Sequence, residues 1–192
     1  MVLLGVATLG SAWCGYQATR WNGEGTDLAR RAADVDFDAA REFGLTTQLI
    51  TYDSTMVAQY AQAFSDDNDG LMQFFRDTLI RPEFLPMLEE WEESIAAGET
   101  PDNILTDREY LAAQLEDYEA LQLSANEYGR RAEAAGNSTD DYVLTTILLA
   151  SGVFFAGLTT SFSVRFAQLM LLTGSSLLVA YAAVRLVDLP VV

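Results

Sequence analysis

Carboxylates and guanidinium groups supply most of the chemistry open to this chain, which has 28 Asp and Glu, 11 Arg and one Cys. It contains neither Lys nor His. Without imidazole there is no ordinary general base near neutral pH, no common zinc site and no Ser-His-Asp triad. No G-x-S-x-G elbow, phosphate-binding loop or dinucleotide fingerprint occurs either. Carboxylate pairs do acid–base work only where their environments split their pKa values. Their abundance here fits a solvated face better than a catalytic pair. The expectation is a protein that is not an enzyme, with no catalytic, cofactor-binding or metal-binding residue to assign.

The stretch nearest to an ion site is Ser65-Asp66-Asp67-Asn68-Asp69-Gly70. A calcium loop of the EF-hand type needs alternating oxygen ligands and a Glu at its twelfth position. Counted from Asp66, the twelfth residue is Asp77, and the ligand order is not kept. A solvated turn with helix-capping carboxylates is the better reading. Cys14 lies in an apolar segment and has no intrachain partner for a disulfide, so it says little about redox compartment.

The charge is unevenly placed. Between Arg20 and Asp141 lie 27 of the acidic residues and 9 of the arginines, a net −18 within a chain total of −17. Such a surface repels nucleic acid, which is excluded as a partner. A salt-loving host and a GC-rich genome that favours Arg codons account equally well for an acidic chain without Lys.

The elements that must position these charges begin with two apolar runs, Val143–Phe162 and Phe166–Val184, separated by Ser163, Val164 and Arg165. Each run would span roughly 28–30 Å as a helix, the thickness of a bilayer's hydrocarbon core. Joined by three residues, they predict an antiparallel membrane hairpin. A third apolar stretch, Val2–Ala18, ends in Trp13, Tyr16 and Trp21 beside Arg20, a grouping suited to a membrane–water interface. A signal peptide is the rival, with Gly10-Ser11-Ala12 as a cleavage site. No basic residue precedes the run, as a signal peptide needs, so a retained short span is expected.

Between the spans the pattern is helical. Gly23 and Gly25 predict a break and Thr26 a cap, followed by a long helix from Asp27 to Phe64. Short helices are expected over Leu71–Ile80, with Leu71, Phe74, Phe75 and Leu79 inward, and over Glu83–Ala97, capped by Gly98. Thr106-Asp107-Arg108-Glu109 reads as a capping box opening a second long helix. Gly136-Asn137-Ser138-Thr139 is expected to loosen the chain before the hairpin. The predicted core includes Phe74, Phe75, Phe84, Trp91, Tyr110 and Leu115. The fold class is therefore all-α: three transmembrane helices, near 2–18, 142–162 and 166–185, plus an acidic helical bundle built on two long antiparallel helices. The segments are 1–21, 22–141 and 142–192.

Ala12-Trp13-Cys14-Gly15-Tyr16-Gln17-Ala18-Thr19-Arg20-Trp21 follows the apolar start. Phe75-Arg76, Arg81-Pro82-Glu83-Phe84 and Asp141-Tyr142-Val143-Leu144 come later. Together these resemble a group of uncharacterised prokaryotic membrane proteins with one N-terminal helix, a helical soluble segment and a C-terminal hairpin. The resemblance covers nearly the whole chain and implies that architecture. It brings no catalytic residues with it.

Small residues at Ala7, Ser11 and Gly15, and at Gly152 and Ala156, would let helices approach closely in lipid, within one chain or between copies. Arg185 and Asp188 are placed to pair with each other. No charge sits at the centre of a span, which disfavours a proton relay. Three readings follow. In the first, a structural or accessory protein of the cell membrane offers its acidic domain to a partner subunit or to copies of itself. In the second, a tethered bundle senses a ligand. In the third, an oligomer forms a cation-attracting pore. The only short loop holds Arg165 and no acid, which places the elbow in the cytoplasm and the acidic domain outside it. Asn137-Ser138-Thr139 is then a glycosylation acceptor.

Overall fold

A computed structural model describes residues 2–101 and 103–192. Met1, which opens the 1–21 segment, and Asp102, inside the 98–105 loop, lie outside the described residues. All regular structure among the described residues is helical. Helix α1 runs from Val2 to Ser65, α2 from Asp69 to Phe74, α3 from Leu85 to Ala96, α4 from Arg108 to Leu158 and α5 from Arg165 to Asp188. A π-helical turn, Phe75–Leu79, follows α2, and 3₁₀ turns occupy Pro82–Phe84, Ile104–Thr106 and Thr159–Ser161.

Two expected breaks are absent. Gly23 and Gly25 lie inside α1, where the Thr26 hydroxyl donates to Asn22 O at 2.8 Å instead of capping a new helix. Residues 136–139 lie inside α4, with Ser138 and Thr139 donating to Ala134 O and Ala135 O, each at 3.1 Å. A glycine within a helix costs only about 1 kcal/mol, which packing along so long an element easily offsets. A Cβ at Gly23 would meet nothing within 4 Å. Gly23→Ala is therefore expected to stabilise the chain by about 0.5–1 kcal/mol, read as a rise in melting temperature.

The start of α4 is also displaced. Thr106 belongs to the preceding 3₁₀ turn and donates to Asn103 O at 2.9 Å. Asp107 Oδ1 is the side chain that accepts the Tyr110 N–H, at 2.8 Å. The carboxylate is the stronger cap because the helix N-terminus carries partial positive charge.

Among the described residues two helices, not three, are long and apolar enough to cross a membrane. They are α4 with the turn after it (Arg108–Ser161) and α5 (Arg165–Asp188), with mean hydropathy of 1.8 and 1.7 in their most apolar windows. The N-terminal run falls short because Gly5, Gly10, Gly15, Ser11 and Gln17 dilute its apolar residues.

The chain forms two compact units, one of residues 1–33 with 125–192 and one of residues 34–124. Helices α1 and α4 contribute to both. The expected 22–141 segment is a division by hydropathy, whereas packing divides the chain at these other points. The charge follows the packing. Residues 34–124 hold 21 carboxylates and four arginines, net −17, while the other unit holds seven of each and is neutral. The two are called the acidic and the apolar unit below.

In the acidic unit, α1 and α4 are antiparallel. Asp36 accepts from Gln122 at 3.4 Å, Phe43 stacks on Tyr118 at 5.1 Å, and Thr46 donates to Gln114 O at 3.2 Å. The segment between them packs Phe75, Ile80, Phe84, Leu88 and Ile104 against Tyr60 and Tyr110. Phe75 and Phe84 belong to this core, and Trp91 packs edge-on against Phe64 at the core's margin. Phe74 does not belong: it is 50% exposed, as Leu71 is at 40%. The face of α2 that meets the core carries Met72 and, at the C-cap, Phe75, which leaves Leu71 and Phe74 outward. The wider π turn, closed by Ile80 N–H to Phe75 O at 2.8 Å, precedes the buried Ile80. Gly98, at φ 75°, ends α3 in the left-handed conformation that glycine adopts without a Cβ penalty.

In the apolar unit, α1, α4 and α5 meet through small and polar side chains. Ala7, Cys14, Ala18, Ala182, Thr145, Ser175 and Gln17 are buried, and Tyr142, Leu149 and Val179 are the large members of the core. Many other large apolar residues face outward, among them Leu9 (75% exposed), Phe166 (68%) and Leu177 (66%).

Candidate functional site

The densest polar chemistry lies in the interior of the acidic unit, in two arginine clusters beside the π turn. Asp53 takes a core position on α1, between Leu49-Ile50 and Met56-Val57, and is 2% exposed. Arg81, in extended backbone just before Pro82, forks onto it. Its Nε donates to Oδ1 at 2.9 Å and its Nη2 to Oδ2. The Tyr110 hydroxyl donates to the same Oδ2 at 2.7 Å. Phe84 closes the cluster, with its ring 4.6 Å from that of Tyr110 and 5.8 Å from the Arg81 guanidinium carbon.

The second cluster repeats the chemistry. Arg76, inside the π turn, donates from Nη2 to Glu92 Oε2 at 2.6 Å and from Nε to the Tyr60 oxygen at 2.8 Å. The Tyr60 hydroxyl in turn donates to Glu92 Oε1. The two clusters thus tie the inserted segment to both long helices: Arg81 to α1 and, through Tyr110, to α4, and Arg76 to α1 and α3. Tyr52 adds a bond from its hydroxyl to Leu79 O at 2.7 Å. Burial chiefly, and then the bond donated to Asp53, raises the Tyr110 phenol well above its ordinary value near 10. Burial and the bond to Glu92 raise Tyr60 in the same direction.

A raised phenol favours the neutral form in the folded state. Its contribution to stability is whole below the unfolded pKa, near 10, and is lost as pH climbs from there through the folded value. Unfolding followed between neutral pH and strongly alkaline pH is expected to show stability falling above about pH 10, less steeply in Tyr110→Phe.

Both oxygens of Asp53 and both of Glu92 are engaged, so the two clusters act as clamps. Among the described residues no three Cys, Asp or Glu gather closely enough to hold a metal ion. In the acidic turn, Asn68 caps α2 by accepting from Leu71 N–H at 3.1 Å, and Asp66 accepts from Gln62 at 3.1 and 3.0 Å.

The small residues of the apolar unit fall at different depths. Ala7 is fully buried, Ser11 half-buried and donating to Ala7 O at 2.9 Å, and Gly15 exposed with nothing within 4 Å of a Cβ. Steps of four residues drift about 40° each around a helix, so the stripe turns off the seam by Gly15. Gly10 makes the approach instead: a Cβ there would lie 3.1 Å from Leu149 Cδ1. Gly152 is buried where α4 crosses α5, and accepts at its carbonyl from the Ser175 hydroxyl at 2.7 Å. A Cβ on it would come within 2.7 Å of Val179 Cγ2. Ala156 is half-buried, and Asn137 is exposed in the interior of α4. Arg185 pairs with Asp141 of α4 at 2.6 Å, not with Asp188, because the antiparallel crossing sets Asp141 opposite it. Nearby, Trp21 Nε1 and the Tyr142 hydroxyl both donate to Pro190 O, at 2.9 and 3.0 Å.

The two clusters are what sequence reasoning missed. A signal was present: Asp53 interrupts an apolar stripe at a core position, and Arg81 stands between Ile80 and Pro82. No family model, curated protein or solved structure matches this chain.

Proposed function

We propose that the chain is an integral membrane protein of three spans that offers its acidic unit, outside the cytoplasm, to a partner subunit or another copy and performs no catalysis. The observation that carries this reading is the inverted build of the apolar unit. In water, large apolar side chains go inside and polar ones outside. Here the interior holds Gln17, Thr145, Ser175 and small residues beside Tyr142, Leu149 and Val179, while many leucines and phenylalanines cover the outside. Only 22% and 17% of the most apolar windows of the two long apolar helices is buried, far less than in the core helix of a soluble protein. Without a hydrophobic drive between helices in lipid, close contact comes from small residues and polar bonds, as at Gly152 and Ser175. Val6 and Leu9 on α1, 58% and 75% exposed, support counting the N-terminal run as the third span.

The acidic unit supports a docking role through its charge. Arg76 and Arg81 are turned inward onto carboxylates, so most of its 21 acids stand on the surface with few cations among them. A basic surface on a partner subunit is the electrostatic complement, whereas another copy brings one acidic and one neutral unit and would gain no such attraction. The native mass of the detergent-solubilised protein tests this. The expected result is an assembly larger than one 21.1 kDa chain that high salt dissociates. A monomer at every ionic strength, with no co-purifying subunit, would count against it. Protease added to intact cells tests the sidedness, with cleavage in the 98–105 loop expected.

A cleft of about 430 Å³ in the acidic unit favours a second reading, ligand sensing. Its apolar lining includes Met87, Trp91 and Ile104, and its charged lining Glu90, Asp107 and Arg108. A ligand-dependent rise in melting temperature would be its mark.

A further inference from the structure

The elbow between α4 and α5 carries a site that neither the clamps nor the docking role uses. Arg165, the first residue of α5, is exposed and has no ion-pair or hydrogen-bond partner among the described residues. It is the only charged residue between Tyr142 and Val184. With Thr159, Thr160, Gln168, Leu169 and Leu172 it lines a cleft of about 540 Å³.

We propose that this cleft binds the headgroup of an anionic phospholipid of the phosphatidylglycerol type, with its phosphate on Arg165 and its glycerol hydroxyls on the two threonines. The proposal rests on the membrane reading above. Arg165 supplies forked donors that suit phosphate oxygens. Val164 at the N-cap of α5 makes no side-chain capping bond, so the partial positive charge at this helix end, beside Arg165, is not offset by a side-chain cap. The threonines select the rest of the headgroup. Thr159 donates its proton to Ala156 O at 2.6 Å and Thr160 to Gly157 O at 2.9 Å, which leaves both hydroxyl oxygens as acceptors. Headgroup hydroxyls fit acceptors, and the methylated ammonium of phosphatidylcholine brings no donor. Gln168 Nε2 donates to Phe162 O at 2.6 Å and holds the elbow closed. The wall beyond is apolar, with Leu169 63% and Leu172 50% exposed, where an acyl chain would lie and a free phosphate ion would gain nothing.

The test is lipid retention by the full chain, purified from mixed vesicles of phosphatidylcholine and phosphatidylglycerol and weighed by native mass spectrometry. The wild type is expected to retain phosphatidylglycerol about fivefold over its share, the factor that one basic residue near an anionic surface supplies. Arg165→Gln is expected to remove the preference, Arg165→Lys to keep part of it, and Arg20→Gln to leave it unchanged. Equal retention of the two lipids, or a preference that survives Arg165→Gln, would overturn the site. So would loss of the preference on adding inorganic phosphate at an equal concentration. Flotation with phosphatidylcholine vesicles after an alkaline wash reads the membrane assignment separately. A chain that floats without a lipid preference overturns the site alone, and one that does not float overturns both.

Discussion

Asp53→Ala is expected to destabilise the acidic unit by about 3–5 kcal/mol, the cost of breaking a buried ion pair by removing one partner. The loss is large because the carboxylate is 2% exposed and serves two groups at once. Its removal leaves the buried Tyr110 hydroxyl without its acceptor and the Arg81 guanidinium, 21% exposed, without its carboxylate. Domains are stable by only about 5–15 kcal/mol, so this one change approaches the whole margin. Glu92→Ala should cost less, since its side chain is 24% exposed and water can reach Arg76, itself 31% exposed. Urea unfolding of the solubilised chain measures both. Replacing Asp53, Arg81 and Tyr110 together by Leu, Met and Phe should recover most of the loss, because no buried polar group is then orphaned. An Asp53→Ala change within about 0.5 kcal/mol of wild type, the scale of an ordinary surface substitution, would show that the clamp does not hold the fold.

Much of this architecture was legible because helices announce themselves locally. Apolar residues at helical spacing along α1 and α4, Pro82 before α3, Gly98 after it and the uncharged runs of the hairpin each report on a few neighbouring residues. The misreadings have one source as well. Gly23, Gly25 and residues 136–139 look like breaks from within their own segments, and the antiparallel packing that keeps them helical is not local. At Gly25 a Cβ would lie 3.4 Å from that of Ala135, a contact across more than a hundred residues of chain. The pairing in the clamps was illegible for the same reason. Asp53 stands out locally as a charge on an apolar stripe, but only the fold brings Arg81 and Tyr110 to it. The π turn added a further shift, since a helical wheel drawn through 71–80 at ordinary winding sets Ile80 away from Phe75, whose core it shares.

Leu177→Arg is expected to cost about 2.5–3.5 kcal/mol in membrane insertion, on the order of a hundredfold in the inserted fraction. Leu177 stands at the middle of α5 and is 66% exposed. In water such a position accepts arginine within about 0.5 kcal/mol, because nothing is buried and nothing is lost. In hydrocarbon a guanidinium at mid-helix must drag water inward or bend toward the interface. Leu123 in the acidic unit is 70% exposed and supplies the control: Leu123→Arg should change nothing. Resistance to alkaline extraction from membranes measures the difference.

The same pair of positions tests the central claim, that two equally exposed leucines face different solvents. Cys14 is buried, so a nitroxide label reacts selectively with a cysteine introduced at 177 or at 123. In the reconstituted protein, dissolved oxygen, which concentrates in lipid, is expected to collide far more often with the label at 177 than a water-soluble nickel chelate does. At 123 the order should reverse. A label at 177 that meets the nickel chelate as freely as one at 123 would contradict the account, because the outward leucines of α5 would then stand in water.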